Sequence, residues 1–180
     1  MNPIKALQTT AVLIRLNHGK ENISKLLTLL YLAEREALLH WGFPLLFEDL
    51  YLTKRGPIVG GISDRLSAGC HDDWNEYLRT DNEDVILIKN PGTDELSMAE
   101  WSLLRRIYKQ HENMDSRAMM PFIRNLPEYK TMQRGREAID YAELLNKNLD
   151  TTKYNIDAML KNIDALKAED IYETFFNFEN

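Results

Sequence analysis

One segment constrains the fold of this chain more than any other: NISKLLTLLYLAEREALLHWG, residues 22–42. Asn22 is suited to cap a helix and Gly42 to end it, because asparagine accepts backbone N–H bonds and glycine adopts the left-handed conformation that follows many helices. Between them, apolar side chains recur at helical spacing and cover nearly every side of the first half. A helix that is apolar on most sides lies inside a fold. The sequence therefore predicts a buried central helix.

The other periodic segments predict further helices and few strands. Helical spacing recurs in residues 4–16, 57–66, 97–111, 116–123, 139–144 and 156–166, and Ser97 with Glu100 forms the S-x-x-E pattern that starts a helix. Residues 50–53 and 85–88 are short β-prone runs. We therefore expect a mainly α fold: a compact helical domain around the buried central helix, with two or three short β-strands.

Composition indicates a soluble protein of the cytoplasm. The 180 residues are 44% apolar and 28% charged, which is ordinary for a globular chain. Cys70 is the single cysteine, so a disulfide framework is excluded and a reducing compartment is favoured. The N-terminal residues lack the pattern of a secretory signal, and charged residues interrupt the apolar segment 23–41. We expect no membrane segment.

The glycine-rich stretch YLTKRGPIVGGISDRL, residues 51–66, raises the question of a phosphate site. It has the spacing of neither G-x-x-x-x-G-K-[ST] nor G-x-G-x-x-G, so a nucleotide loop is excluded. Gly56 and Pro57 instead predict a tight turn from a strand into a helix. Lys54 and Arg55 beside that turn are suited either to an anion at the helix start or to the acidic surface of a partner.

The sequence gives no positive support for catalysis. No Ser-His-Asp or Cys-His arrangement can be proposed from the spacing, and the four histidines are scattered without metal-ligand spacing. We therefore expect a protein that is not an enzyme and that carries no metal and no cofactor.

Charge is unevenly distributed along the chain, whose net charge is −6. Residues 101–136 contain eight basic and three acidic residues, and residues 137–180 contain four basic and ten acidic ones. The basic part, with Arg105 and Arg106, is suited to contact DNA as a helix-turn-helix-like segment 97–136, to dock on an acidic partner, or to form a solvated face. In the acidic tail, Phe175 and Phe176 are suited either to pack on the core or to bind another protein.

Three quoted motifs together resemble one family. The segment KLLTLLYLAEREALLHWGFPL, followed by YLTKRGPIVGGISDRL, resembles the SocA-like antitoxin, or Panacea, domain, whose core helix has the form K-L-L-Y-L-A-x-R-E and is followed by a strand and a G-P-V helix. The segment DELSMAEWSLLRRIY resembles the later L-S-x-A-E-x-x-x-L helix of that family. The resemblance covers roughly residues 5–145. It implies a domain over residues 1–146, with a C-terminal helix and an acidic aromatic tail over 147–180.

The resemblance implies an antitoxin-like protein of a bacterium, a phage or another mobile element. Such a protein neutralises a cognate protein toxin, encoded by an adjacent gene, through direct binding, and a role as an adaptor for a ClpXP-type protease stays open. The alternative is the DNA-binding regulator described above. The positions that match the family motif are Tyr31, Arg35, Glu36, Lys54, Gly56 and Pro57. Among them, Arg35 needs a carboxylate or carbonyl partner on a buried helix, as a structural ion pair or as part of a binding site.

Overall fold

The computed structural model describes residues 2–70, 72–132 and 134–176. Its helices are α1 (Pro3–Leu16), α2 (Ile23–Trp41), α3 (Gly60–Ser67), α4 (Met98–His111), α5 (Ser116–Arg124), α6 (Tyr141–Asn148) and α7 (Ile156–Phe176), with a short 3-10 helix at Asp72–Glu76. Its strands are β1 (Lys20–Asn22), β2 (Leu50–Thr53), β3 (Gly56–Val59), β4 (Leu78–Asp81), β5 (Asp84–Leu87) and β6 (Arg136–Ile139).

Helix α2 is the centre of the fold, as predicted. The Asn22 side chain caps it by accepting the Lys25 N–H at 3.2 Å, and Gly42 ends it with φ of 80°. Contacts with α1, α4, α5, α6 and β3 surround α2. Its apolar side chains are almost all buried in one continuous core. The prediction of a buried central helix is therefore confirmed.

Two antiparallel three-stranded sheets flank this helix. One has the strand order β1-β5-β4, and the other has the order β3-β2-β6. In the second sheet, Thr53 of β2 lies opposite Gly56 on one side and opposite Arg136 on the other. This sheet therefore joins the middle of the chain to a strand about eighty residues later.

The expected fold class is wrong, because the chain is not mainly α with two or three strands. Within the described residues it has a mixed α/β fold, with seven α-helices and six strands in two sheets. The strands predicted near residues 50–53 and 85–88 are present as β2 and β5. Of the other four, β1 (KEN), β4 (LRTD) and β6 (REAI) are largely polar and β3 (GPIV) begins with glycine and proline, so none has the β-prone run that marks a strand in the sequence.

The predicted turn from a strand into a helix at Gly56 and Pro57 is also wrong. Both residues belong to β3, the second strand of a hairpin, and α3 begins only at Gly60. Gly56 has φ of 122°, a conformation that favours glycine at the hairpin turn. The β-branched side chains of Ile58 and Val59 are compatible with a strand, and antiparallel pairing with β2 places residues 56–59 in β3 rather than in a helix.

Helix α7 packs on the main body of the fold. Ile156 and Ile163 are buried in the same core as α2, and the predicted boundary between residues 146 and 147 falls inside α6. The division into a domain and a C-terminal region stays a prediction. Across the described part of the chain, no helix combines the length and the apolar character that crossing a membrane requires.

Candidate partner-binding surface

The two cations of the glycine-rich stretch lie at the tip of a hairpin. Lys54 and Arg55 are the exposed turn residues between β2 and β3. The Thr53 hydroxyl donates to the Gly56 carbonyl at 2.8 Å and accepts the Arg55 N–H at 3.1 Å. These two hydrogen bonds stabilise the turn. Because α3 begins five residues after Arg55, these cations do not stand at a helix start, and an anion site of that kind has no basis here.

Arg105 and Arg106 lie on the exposed face of α4. Its N-terminus has the predicted capping box, in which Ser97 and Glu100 each bond the backbone N–H of the other. The Arg105 guanidinium lies 5.7 Å from the centre of the Trp101 ring, and Arg106 is 3.3 Å from a carboxylate oxygen of Glu36 on α2. No hydrogen bond or ion pair among the described residues links this pair to the hairpin tip.

Tyr31 and Arg35 share one buried carboxylate. The Tyr31 hydroxyl donates to Glu128 Oε1 at 2.6 Å, and Arg35 Nε donates to the same oxygen at 2.7 Å. Asn148, near the end of α6, donates its amide to Glu128 Oε2 at 3.0 Å and accepts a bond from Arg35. This network of Tyr31, Arg35, Glu128 and Asn148 ties α2 to the segment after α5 and to α6.

The network keeps Glu128 ionised in the core. Burial alone would raise the pKa of this carboxyl, but the hydrogen bonds from Arg35, Tyr31 and Asn148 outweigh it and hold the pKa below its usual value. Burial and the neighbouring Glu128 raise the pKa of Tyr31, so its hydroxyl stays neutral and donates. Arg35 thus has the carboxylate partner that a buried cation needs. A direct role of Tyr31 and Arg35 in partner binding stays a prediction.

Glu34, the residue before Arg35 on α2, lies in the core. Its side chain is fully buried and accepts the N–H groups of Leu45 and Leu46 at 2.7 and 2.8 Å. Burial raises the pKa of Glu34 to about 8, against the effect of these two bonds. The side chain fixes the segment that leads from α2 to β2, and therefore also fixes the hairpin that follows.

Sequence reasoning did not identify Glu128 and Asn148. The segment NLPEY, residues 125–129, places an acid beside an aromatic after α5, but nothing local connects it with Arg35, 93 residues earlier. Phe175 and Phe176 lie at the end of α7, and their side chains are outside what the structure describes. In the part of the chain that is described, no three His, Cys, Asp or Glu side chains come together as a metal site.

More than half of this chain matches the model of one known protein family. The family model for the Antitoxin SocA-like, Panacea domain matches residues 26–130, which is more than half of the chain. The chain belongs to the SocA-like antitoxin family. The matched part of the Panacea domain contains Tyr31, Arg35, the hairpin tip, α4, α5 and Glu128. No curated protein and no solved structure matches the chain.

Proposed function

We propose that this chain neutralises a cognate protein toxin, encoded by an adjacent gene, by binding it directly. The observation that carries the proposal is the match of residues 26–130 to the SocA-like antitoxin family. The matched region also contains exposed cations on two ordered elements. The hairpin tip carries Lys54 and Arg55, and α4 carries Arg105 and Arg106.

The buried polar groups support this interpretation. Tyr31, Arg35, Glu128 and Asn148 bond one another inside the fold and stabilise the arrangement of α2, the segment after α5, and α6. A rigid scaffold favours tight binding, because fewer side chains and loops must be ordered when the complex forms. We therefore assign these residues to the support of the binding surface, and we assign contact with the toxin to the exposed cations.

Co-expression with the adjacent gene tests the proposal. The product of that gene, induced alone, should arrest growth, and co-expression of this chain should restore growth. The two proteins should also be purified together when only one carries an affinity tag. A chain shortened to end before residue 97 is the negative control, because it lacks α4, α5, β6, α6 and α7 and should not restore growth. Growth arrest that persists with the full chain would contradict the proposal.

Delivery of the toxin to a ClpXP-type protease is a second way to neutralise it. The same co-expression in a strain that lacks this protease separates the two routes. Restored growth in that strain indicates inhibition by binding alone. Growth arrest in that strain, with an intact complex on purification, indicates an adaptor.

The alternative of a DNA-binding regulator rests on the exposed position of Arg105 and Arg106 in segment 97–136. Arg106 has a carboxylate neighbour in Glu36, which reduces its availability for phosphate. This function predicts that the chain binds the DNA of its own promoter. The binding should weaken as the salt concentration rises, and it should also weaken in the double variant Arg105→Ala with Arg106→Ala. DNA binding that changes neither with the salt concentration nor with the double substitution would count against this function.

A further inference from the structure

We propose that an acidic segment of the toxin binds to one cationic surface, defined by Lys54, Arg55, Arg117, Arg124 and Arg134. The proposal rests on the proposed function and specifies the face and the chemistry of the contact. The surface combines three parts of the chain: the β2–β3 turn, the outer side of α5, and the residues just before β6.

The register of the second sheet places Arg134 beside the hairpin tip. Thr53, the residue before the turn, lies opposite Arg136 of β6 in an antiparallel pair. The chain that leaves β2 through Lys54 and Arg55 therefore lies beside the chain that enters β6 through Arg134 and Gly135. All three cations are exposed.

Contact between Gly56 and α5 brings the second group of cations to the same side. A Cβ atom at Gly56 would lie 3.4 Å from the Met120 sulfur, so α5 lies directly against the base of the turn. Arg117 and Arg124 are seven residues apart and share one face of α5, next to the face of Met120. Both are exposed, so α5 presents two guanidinium groups on the side adjoining Lys54 and Arg55.

These five cations differ from their neighbours in having no acidic partner within the described residues. Arg136 pairs with Asp64 at 2.9 Å, and Lys130 pairs with Glu143 at 3.0 Å. The carboxylates of Asp64 and Glu143 are therefore already engaged with other cations. A cluster of like charges without counter-charges repels itself, and an acidic partner relieves this repulsion.

The surroundings favour an acidic protein segment over DNA. The whole chain carries a net charge of −6, so the five cations form a local basic patch on an acidic protein. A short acidic segment needs to contact only this patch, whereas a DNA duplex would extend past it toward an acidic chain whose residues 137–180 carry ten acidic and four basic residues.

Two pairs of charge reversals test the surface. The first variant is Lys54→Glu with Arg55→Glu, and the second is Arg117→Glu with Arg124→Glu. The matched control, Arg79→Glu with Lys161→Glu, makes the same change in net charge at exposed residues outside the surface. The measurement is the Kd for the purified product of the adjacent gene, with a duplex of the chain's own promoter as a second probe. All variants should keep the urea midpoint of the unmodified chain, and if one surface variant fails to fold, the other decides.

We expect each surface variant to raise the Kd for the gene product by roughly 100-fold, about tenfold for each reversed charge, and the control to change it by less than about threefold. Equal affinity of the surface variants and the control would overturn the proposal but leave the proposed function intact. Loss of promoter binding with unchanged affinity for the gene product would also overturn it, in favour of DNA. An unmodified chain that does not bind the gene product would refute the proposed function, and this inference with it.

Discussion

Replacement of Arg35 by methionine is the most informative test of the scaffold. Arg35→Met keeps an unbranched apolar side chain in the core but removes the cation that faces Glu128. Glu128 is only 2% exposed, so water cannot replace the missing guanidinium. The hydroxyl of Tyr31 and the amide of Asn148 remain as its hydrogen-bond donors. The substitution therefore leaves a partly satisfied anion inside the fold.

The expected loss of stability is large. Removal of one partner from a buried ion pair lowers the free energy of unfolding by about 3–5 kcal/mol, because the other charge stays buried. A domain of this size is stable by about 5–15 kcal/mol in total. We therefore expect Arg35→Met to remove a large part of the stability of the chain. The urea midpoint should fall, while the slope of the free energy of unfolding against urea concentration (the m value) stays unchanged.

Equilibrium unfolding in urea, followed by circular dichroism, provides the measurement. The control is the double variant Arg35→Met with Glu128→Gln, which removes both charges and keeps an oxygen that accepts the Tyr31 hydroxyl. We expect the double variant to be more stable than the sum of the two single changes predicts, by at least about 1.5 kcal/mol. A loss below about 1 kcal/mol for Arg35→Met, or strict additivity in the double variant, would show that Arg35 does not stabilise a buried Glu128 carboxylate.

Two further predictions concern the elements that hold the hairpin. The pKa of Glu34 in the folded chain is about 8, above its ordinary value of 4.5. Between these two pH values the folded chain keeps a proton that the unfolded chain loses, so the free energy of unfolding falls as the pH rises. The free energy of unfolding should fall between about pH 5 and pH 8 more steeply for the unmodified chain than for Glu34→Gln, and parallel curves would contradict this. An Ala side chain at Gly60 would lie 2.6 Å from the Tyr51 ring and 3.2 Å from the Asp49 carbonyl oxygen. Gly60→Ala should therefore lower the free energy of unfolding by about 1–3 kcal/mol, and a loss no larger than that of the exposed control Ser67→Ala on the same helix would be inconsistent with this contact.

The central helix could be predicted because its signals are local. Asn22, Gly42 and the apolar periodicity between them lie within one stretch of sequence and act through contacts a few residues apart. The capping box of Ser97 and Glu100 was predictable for the same reason, since each residue bonds the backbone of the other.

The sheets could not be predicted in the same way. Strand β6 finds its partner β2 more than eighty residues earlier, and β1 consists of three polar residues, Lys20–Asn22. Such strands form because tertiary pairing fixes them, and their own sequence preference is weak. The error at Gly56 and Pro57 has the same origin. Their local sequence is compatible with the start of a helix, but pairing with β2 places both residues in a strand.

The candidate site shows the same division between local and distant information. The need of Arg35 for a partner follows from a charge on a buried helix, but only the fold identifies Glu128 as that partner. Lys54 and Arg55 stand out in the sequence as unexplained cations. Their proximity to Arg134 follows from the strand register, and their proximity to α5 follows from the contact of Gly56 with Met120.

The most direct test of the antitoxin function is calorimetric titration of the purified chain with the purified product of the adjacent gene, with no other component present. We expect a complex with a Kd below about 1 µM, which corresponds to a binding free energy stronger than about −8 kcal/mol. A gene product that arrests growth but gives no binding heat with the folded chain, together with no complex on size-exclusion chromatography at the same concentrations, would contradict it.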